Sequence, residues 1–149
     1  MLWTEPLVIC GFGEVGEEVA ASAVASGVLP HRISVIDRDP ERLIHAARCG
    51  YRTVAGARPL DEVIRSLGGA ATSKVVICLA DALAAEAVSA VRVVSPNACV
   101  QVVLETSDVE KAVAMAGADL VLPMSRLAGR LLAASAMNEA PAMGAAGSR

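Results

Sequence analysis

Two rhythms of apolar positions alternate along the chain. Short apolar runs at Leu7–Cys10, His31–Ile36, Tyr51–Val54, Lys74–Leu79, Cys99–Leu104 and Leu120–Leu122 read as strands. Between them, apolar residues recur every three or four positions, the spacing of one helix face. Val15, Val19, Ala20, Ala23 and Val24 predict a helix over Glu14–Ser26, closed by Gly27. Asp39-Pro40 supplies an N-cap and a proline at the first helical position, predicting a second helix to Arg48 with Leu43, Ile44 and Ala47 inward. Further helices follow over Leu60–Leu67, Ala82–Val94 and Asp108–Ala116, the last opened by a Ser107/Glu110 capping box. Asp81 reads either as the N-cap of the fourth helix or as a site residue at a strand end.

Strand–helix units repeated in this way predict a Rossmann-like α/β fold, a doubly wound parallel six-stranded sheet in the order 3-2-1-4-5-6. A terminal helix over Ser125–Met137 follows the last strand. Its Leu127, Leu131 and Leu132, beside small Ala128, Ala134 and Ser135, form a broad apolar surface, suited to a partner or to its own sheet. Residues 1–138 form one expected domain. Glu139–Arg149 lacks periodicity and reads as a disordered tail or linker.

Composition narrows this picture. Of 149 residues, 54% are hydrophobic but only 2% aromatic, so the core must be built from Val, Leu, Ile and Ala, as suits strands covered on both faces. The net charge of -3, with acids and bases interspersed, excludes a basic nucleic-acid footprint. No apolar run approaches the ~20 residues of a membrane-spanning helix, and no signal peptide is visible. Cys10, Cys49, Cys78 and Cys99 have no metal-ligand spacing and read as buried thiols of a reducing cytoplasm; Cys10 and Cys78 fall on adjacent strands.

Candidate chemistry centres on Gly11-Phe12-Gly13-Glu14-Val15-Gly16, a Gly-x-Gly-x-x-Gly turn between strand and helix. In that pattern Gly11 permits the tight turn, Gly13 lets a pyrophosphate approach, and Gly16 lets the helix pack closely. Asp37, about twenty residues beyond Gly16 at the end of the second strand, suits the hydroxyls of an adenosine ribose and disfavours a 2′-phosphate, an exclusion weakened by Arg38. The other strand ends at this edge carry Gly56 and Ala57, then Leu79, Ala80 and Asp81, then Glu105. Glu14 inside the loop penalises a γ-phosphate. The expected ligand is therefore NAD(H), with AMP or ADP next and ATP disfavoured. Neither His31 nor His45 falls at this edge, so no catalytic set is expected.

The glycine turn, Val35-Ile36-Asp37-Arg38-Asp39-Pro40, and Ala116-Gly117-Ala118-Asp119-Leu120-Val121-Leu122-Pro123 followed by Leu127-Ala128-Gly129 together resemble the RCK domains, also called KTN or TrkA-N domains. The resemblance spans about Leu7–Met137. It implies a cytoplasmic regulatory domain of potassium transport that binds NAD(H), ATP/ADP or AMP. It also implies a membrane-embedded potassium channel or transporter subunit as partner, and a homodimer or higher oligomer through Ser125–Met137. The sequence departs from the family in three places. Many members carry Asp where Ala57 stands and Arg where Glu105 stands, and some ATP-binding members carry Arg at the position of Glu14. The C-terminal ligand-binding subdomain of many members is also missing. Two other readings remain open: an NAD-dependent oxidoreductase or a fragment of one, and a nucleotide-free dimerisation module.

Overall fold

The structure is a computed structural model and describes residues 6–138; the expected tail lies outside that range. Six strands form one parallel sheet: β1 (Leu7–Cys10), β2 (Ile33–Asp37), β3 (Arg52–Ala55), β4 (Lys74–Ile77), β5 (Cys99–Leu104) and β6 (Leu120–Pro123). Their order is β3-β2-β1-β4-β5-β6, as the sequence predicts. The helices are α1 (Glu14–Ala25), α2 (Pro40–Arg48), α3 (Leu60–Ser66), α4 (Asp81–Val94), α5 (Glu110–Met115) and α6 (Met124–Asn138). β1 lies between β2 and β4, with Cys10 opposite Ile36 on one side and Ile77 on the other.

Alternation along β1 splits the core into two layers. Val8 and Cys10 join Val75, Ile77, Val100, Val102 and Leu104 beneath α3, α4 and α5. Leu7 and Ile9 join Ile33, Val35 and Phe12 beneath α1 and α2. Each fully buried aliphatic side chain contributes about 1.5–3 kcal/mol. The second layer stops short. Val100, Val102 and Leu104 face α4 and α5, so Gln101 and Val103 point to the opposite face of β5. On β6, Val121 packs against the α4–α5 core while Leu120 and Leu122 remain 42% and 40% exposed. The face that α1 and α2 cover over β1–β3 is thus bare over β5 and β6.

Several boundaries differ from expectation for local reasons. β2 starts at Ile33, because Pro30–Arg32 folds into a single tight helical turn that takes His31 out of the strand. β3 is displaced by one residue, to Arg52–Ala55. β4 ends at Ile77, although the Cys78 N–H still donates to the Cys10 carbonyl at 2.7 Å. The expected capping box is not formed. α5 begins only at Glu110, whose N–H donates to the Ser107 carbonyl rather than to its hydroxyl. Nor does Asp81 cap α4; Ala80 holds that position without a side-chain bond.

The Gly117-Ala118-Asp119 segment acts as a staple at the opposite edge of the sheet. Arg92, at the end of α4, donates to the Gly117 carbonyl through Nε (2.9 Å) and Nη2 (2.7 Å), and to the Ala98 carbonyl through Nη1 (2.6 Å). It also pairs with Asp119 at 2.8 Å, and that carboxylate accepts the Val100 N–H at 2.7 Å. The Val100 hydrogen bond first, then Arg92, holds the Asp119 carboxyl below its ordinary range.

Candidate functional site

The glycine turn joins β1 to α1 at the carboxyl edge of the sheet, and its three glycines are held differently. Gly11 has φ +96°, and a Cβ there would collide with the Cys78 carbonyl oxygen. A Cβ on Gly16 would collide with the Gly11 carbonyl oxygen, so this glycine sets how closely α1 meets the strand. Gly13 has φ -82°, and the nearest atoms a Cβ there would meet belong to the Arg42 guanidinium, at 3.9 Å, an ordinary contact. Two glycines are therefore required by the fold, and the third leaves open space at the start of a helix. Free N–H groups and a positive helix end suit an anion at such a place.

Asp37 is buried at the end of β2. One carboxylate oxygen accepts the Phe12 N–H at 2.7 Å and the other accepts the Asp39 N–H at 2.8 Å. The acid thus fixes the turn from inside. A carboxylate has about four acceptor positions, so two such bonds leave capacity for ribose hydroxyls. Arg38 donates from Nε to the Gly56 carbonyl at 3.2 Å, while the Gly56 N–H donates to the Asp37 carbonyl at 2.8 Å; β2 and β3 are tied together just past their ends. Ala57 beside this tie is exposed. Leu79 packs alongside Gly11, and Ala80 is exposed.

Asp81 and Glu105 meet directly. The Asp81 carboxylate accepts the N–H groups of Glu105 (2.9 Å) and Thr106 (3.2 Å). The Glu105 carbonyl in turn accepts the Ser125 N–H at 3.1 Å, in the first turn of α6. A continuous line of hydrogen bonds thus runs from the carboxyl edge to α6. Arg126 braces the same turn by pairing with Glu110 at 2.6 Å, which keeps the Glu110 carboxyl below its ordinary range.

Glu14 and Val15 are exposed. Glu14 borders two hollows. One, between α1 and α2, is lined by Phe12, Glu17, His45 and Tyr51, with His45 Nε2 2.8 Å from Glu17. The other is apolar, formed by Val15, Val19 and Met124 where α1 faces the start of α6. Neither includes Asp37 or Gly13. Burial pushes the Cys10 thiol up to about 12 and the Cys78 thiol up to about 11, so both stay protonated and unreactive at neutral pH. Among the described residues no cluster has the makings of a metal site.

Sequence reasoning missed Arg42. Its guanidinium lies 3.7 Å from both Asp37 and Asp39 and borders the open side of Gly13. The signal available was its place three residues after the Asp39 cap, on the turn of α2 nearest the glycines.

The TrkA-N domain profile matches residues 7–123, most of the chain. The chain belongs to the TrkA-N domain family. Solved structures agree on the fold. The TrkA-N domain of the inner membrane protein ybaL from Escherichia coli superposes with a TM-score of 0.77 at 20% identity, covering 87% of this chain and 95% of that one. The GsuK channel bound to NAD gives 0.75 at 21% identity, covering 87% of this chain but 23% of that one. GsuK bound to ADP gives 0.74 at 21% identity, covering 87% and 34%. This TrkA-N chain therefore spans about a quarter to a third of the GsuK chains. No curated protein sequence matches it.

Proposed function

We propose that this TrkA-N domain is a nucleotide-binding regulatory domain of potassium transport that performs no catalysis. The observation that carries the reading is the contrast among the glycines. Gly11 and Gly16 lack room for a Cβ, whereas Gly13 at the head of α1 has room for one beside the Arg42 guanidinium. A turn built this way fits the pyrophosphate of NAD(H), with ADP or AMP as smaller alternatives. Gly11, Phe12, Gly13, Glu14, Val15 and Gly16 would surround the phosphates, and Asp37 and Arg38 would border the ribose. Gly56, Ala57, Leu79, Ala80, Asp81 and Glu105 would form the rim. The NAD and ADP held by the GsuK structures support this choice. Exposed Glu14 argues against ATP, because its carboxylate would repel a γ-phosphate.

Regulation requires that occupancy reach a partner. The line from Asp81 through the Glu105 peptide to Ser125 gives a route from the rim to α6. α6 has no buried residue along its 15 positions, with Leu131 and Leu132 64% and 71% exposed. We read it as the dimer helix, packing on the bare β5–β6 face of a second copy. The assembly would act at the cytoplasmic side of a membrane-embedded channel or transporter subunit. Among the described residues no helix is long and apolar enough to cross a membrane.

Calorimetry of the full chain with NAD, NADH, AMP, ADP and ATP tests the reading. Saturable binding of NAD or NADH, with ATP weaker, is expected, together with altered hydrogen exchange at Glu105–Thr106 and the first turn of α6. No binding by any of the five contradicts nucleotide sensing. Binding with unchanged exchange in α6 contradicts the regulatory route. Turnover of NAD with a reductant substrate would favour an oxidoreductase instead.

A further inference from the structure

We propose that Arg42 is the cationic ligand of the phosphates at the glycine turn, held in reserve by Asp37 and Asp39 until a phosphate-bearing nucleotide arrives. The inference rests on the nucleotide reading above and specifies how that site tells a nucleotide from its bare nucleoside.

Position comes first. Three guanidinium atoms of Arg42 (Cζ, Nη1 and Nη2) all lie 3.9 Å from the point a Gly13 Cβ would occupy, the nearest side-chain atoms to it. Arg42 is thus the side chain bordering the open space at Gly13. A phosphate seated over Gly13 must touch this guanidinium or displace it.

Its present contacts are weak ones. Arg42 is 3.7 Å from Asp37 Oδ2 and 3.7 Å from Asp39 Oδ2, beyond hydrogen-bond length in both cases. Both carboxylates also accept backbone N–H groups. Asp37 takes the Phe12 and Asp39 N–H groups, and Asp39 takes the Glu41 N–H at 2.9 Å. A guanidinium carries five donors in a planar fork that matches phosphate oxygens in pairs. Two long ion pairs use little of that capacity, and with the Arg42 side chain 52% exposed they are heavily screened.

Charge placement gives a reason for an anion here. Arg42 sits in the N-terminal part of α2, where a cation faces the positive end of the helix. The start of α1 brings a second positive helix end to the same place. The exposed carboxylate of Glu14, next after Gly13, repels phosphate. The Arg42 guanidinium offsets that repulsion. Adenosine carries no phosphate, so Arg42 discriminates by the phosphates alone.

The test titrates the full-length wild type, R42Q and R42K with NAD and ADP by calorimetry, and with adenosine by NMR at millimolar concentration. R42Q is expected to bind NAD and ADP about 10- to 100-fold more weakly, the range for a lost charge-assisted hydrogen bond. R42K should fall between the two, since it keeps the charge and loses the fork. Adenosine affinity should change less than about 2-fold, and NAD binding to R42Q should respond less to added salt. Thermal unfolding without ligand should match the wild type, because the side chain is half exposed. Unchanged or tighter NAD binding by R42Q, or an equal loss for adenosine, overturns the assignment. A wild type that binds neither NAD nor ADP overturns the nucleotide reading itself, and the role of Arg42 with it.

Discussion

One face of the sheet is finished over β1–β3 and unfinished over β5–β6. On the first half Ile9, Ile33 and Val35 are fully buried beneath α1 and α2, and the glycine turn is bonded into that layer through Phe12 and Asp37. On the second half Leu120 and Leu122 stay about two-fifths exposed, and α6, which leaves directly from β6, buries nothing. The first half is complete within one chain. The second presents a bare sheet face and a bare apolar helix side by side, two surfaces that a second copy could cover reciprocally. Under the proposed function, the difference would separate two tasks: holding a ligand in a rigid seat, and passing its presence to a neighbour.

Breaking the finished half should have the largest effect. Gly16→Ala forces a Cβ onto the Gly11 carbonyl and should cost about 3–5 kcal/mol or prevent folding, as seen by urea denaturation. Breaking the unfinished half should leave the fold alone. Leu131→Asp with Leu132→Asp is expected to convert a dimer to a monomer in light scattering, with the unfolding midpoint of that monomer nearly unchanged, because neither residue is buried. Asp81→Ala, which cuts the line between the halves, should cost about 1–2 kcal/mol and abolish any ligand-dependent hydrogen exchange in α6 while nucleotide binding persists.

Smaller effects come with pH. The folded state holds Cys10 at about 12 against an ordinary 9.0, and Cys78 at about 11, chiefly through burial. A raised value means that the stabilising contribution is whole below pH 9.0 and is lost as pH rises toward 12, so denaturant midpoints should fall steadily across that window. A thiol reagent at neutral pH should modify exposed Cys49 readily, and Cys10 only after unfolding. Asp119 works in the opposite sense. Its lowered value contributes stability above the ordinary 3.8 that disappears as pH falls below it, a slight effect at so exposed a group.

The fold was legible because strand and helix periods barely overlap in this chain. Even the strand order followed from right-handed crossovers. What escaped the sequence were hydrogen bonds made across the sheet. Ser107 and Glu110 have the spacing of a capping box, yet Thr106 and Glu105 are drawn to Asp81 and the helix starts late. The cap alternative for Asp81 arose because its distant partners lie 24 and 25 residues away. His31 read as strand because an apolar run follows it, whereas Pro30 starts a tight turn. Of the glycine turn, the strained and crowded positions followed from the motif. Arg42 did not, since only folding brings α2 against Gly13.

The most direct measurement is a calorimetric titration of Gly13→Ala beside the wild type with NAD. Its Cβ fits the empty turn, with its nearest contact the Arg42 guanidinium at 3.9 Å, but occupies the approach a pyrophosphate needs. The account predicts saturable binding by the wild type and none by Gly13→Ala, with both proteins unfolding at the same denaturant concentration. Equal NAD binding by the two would contradict it.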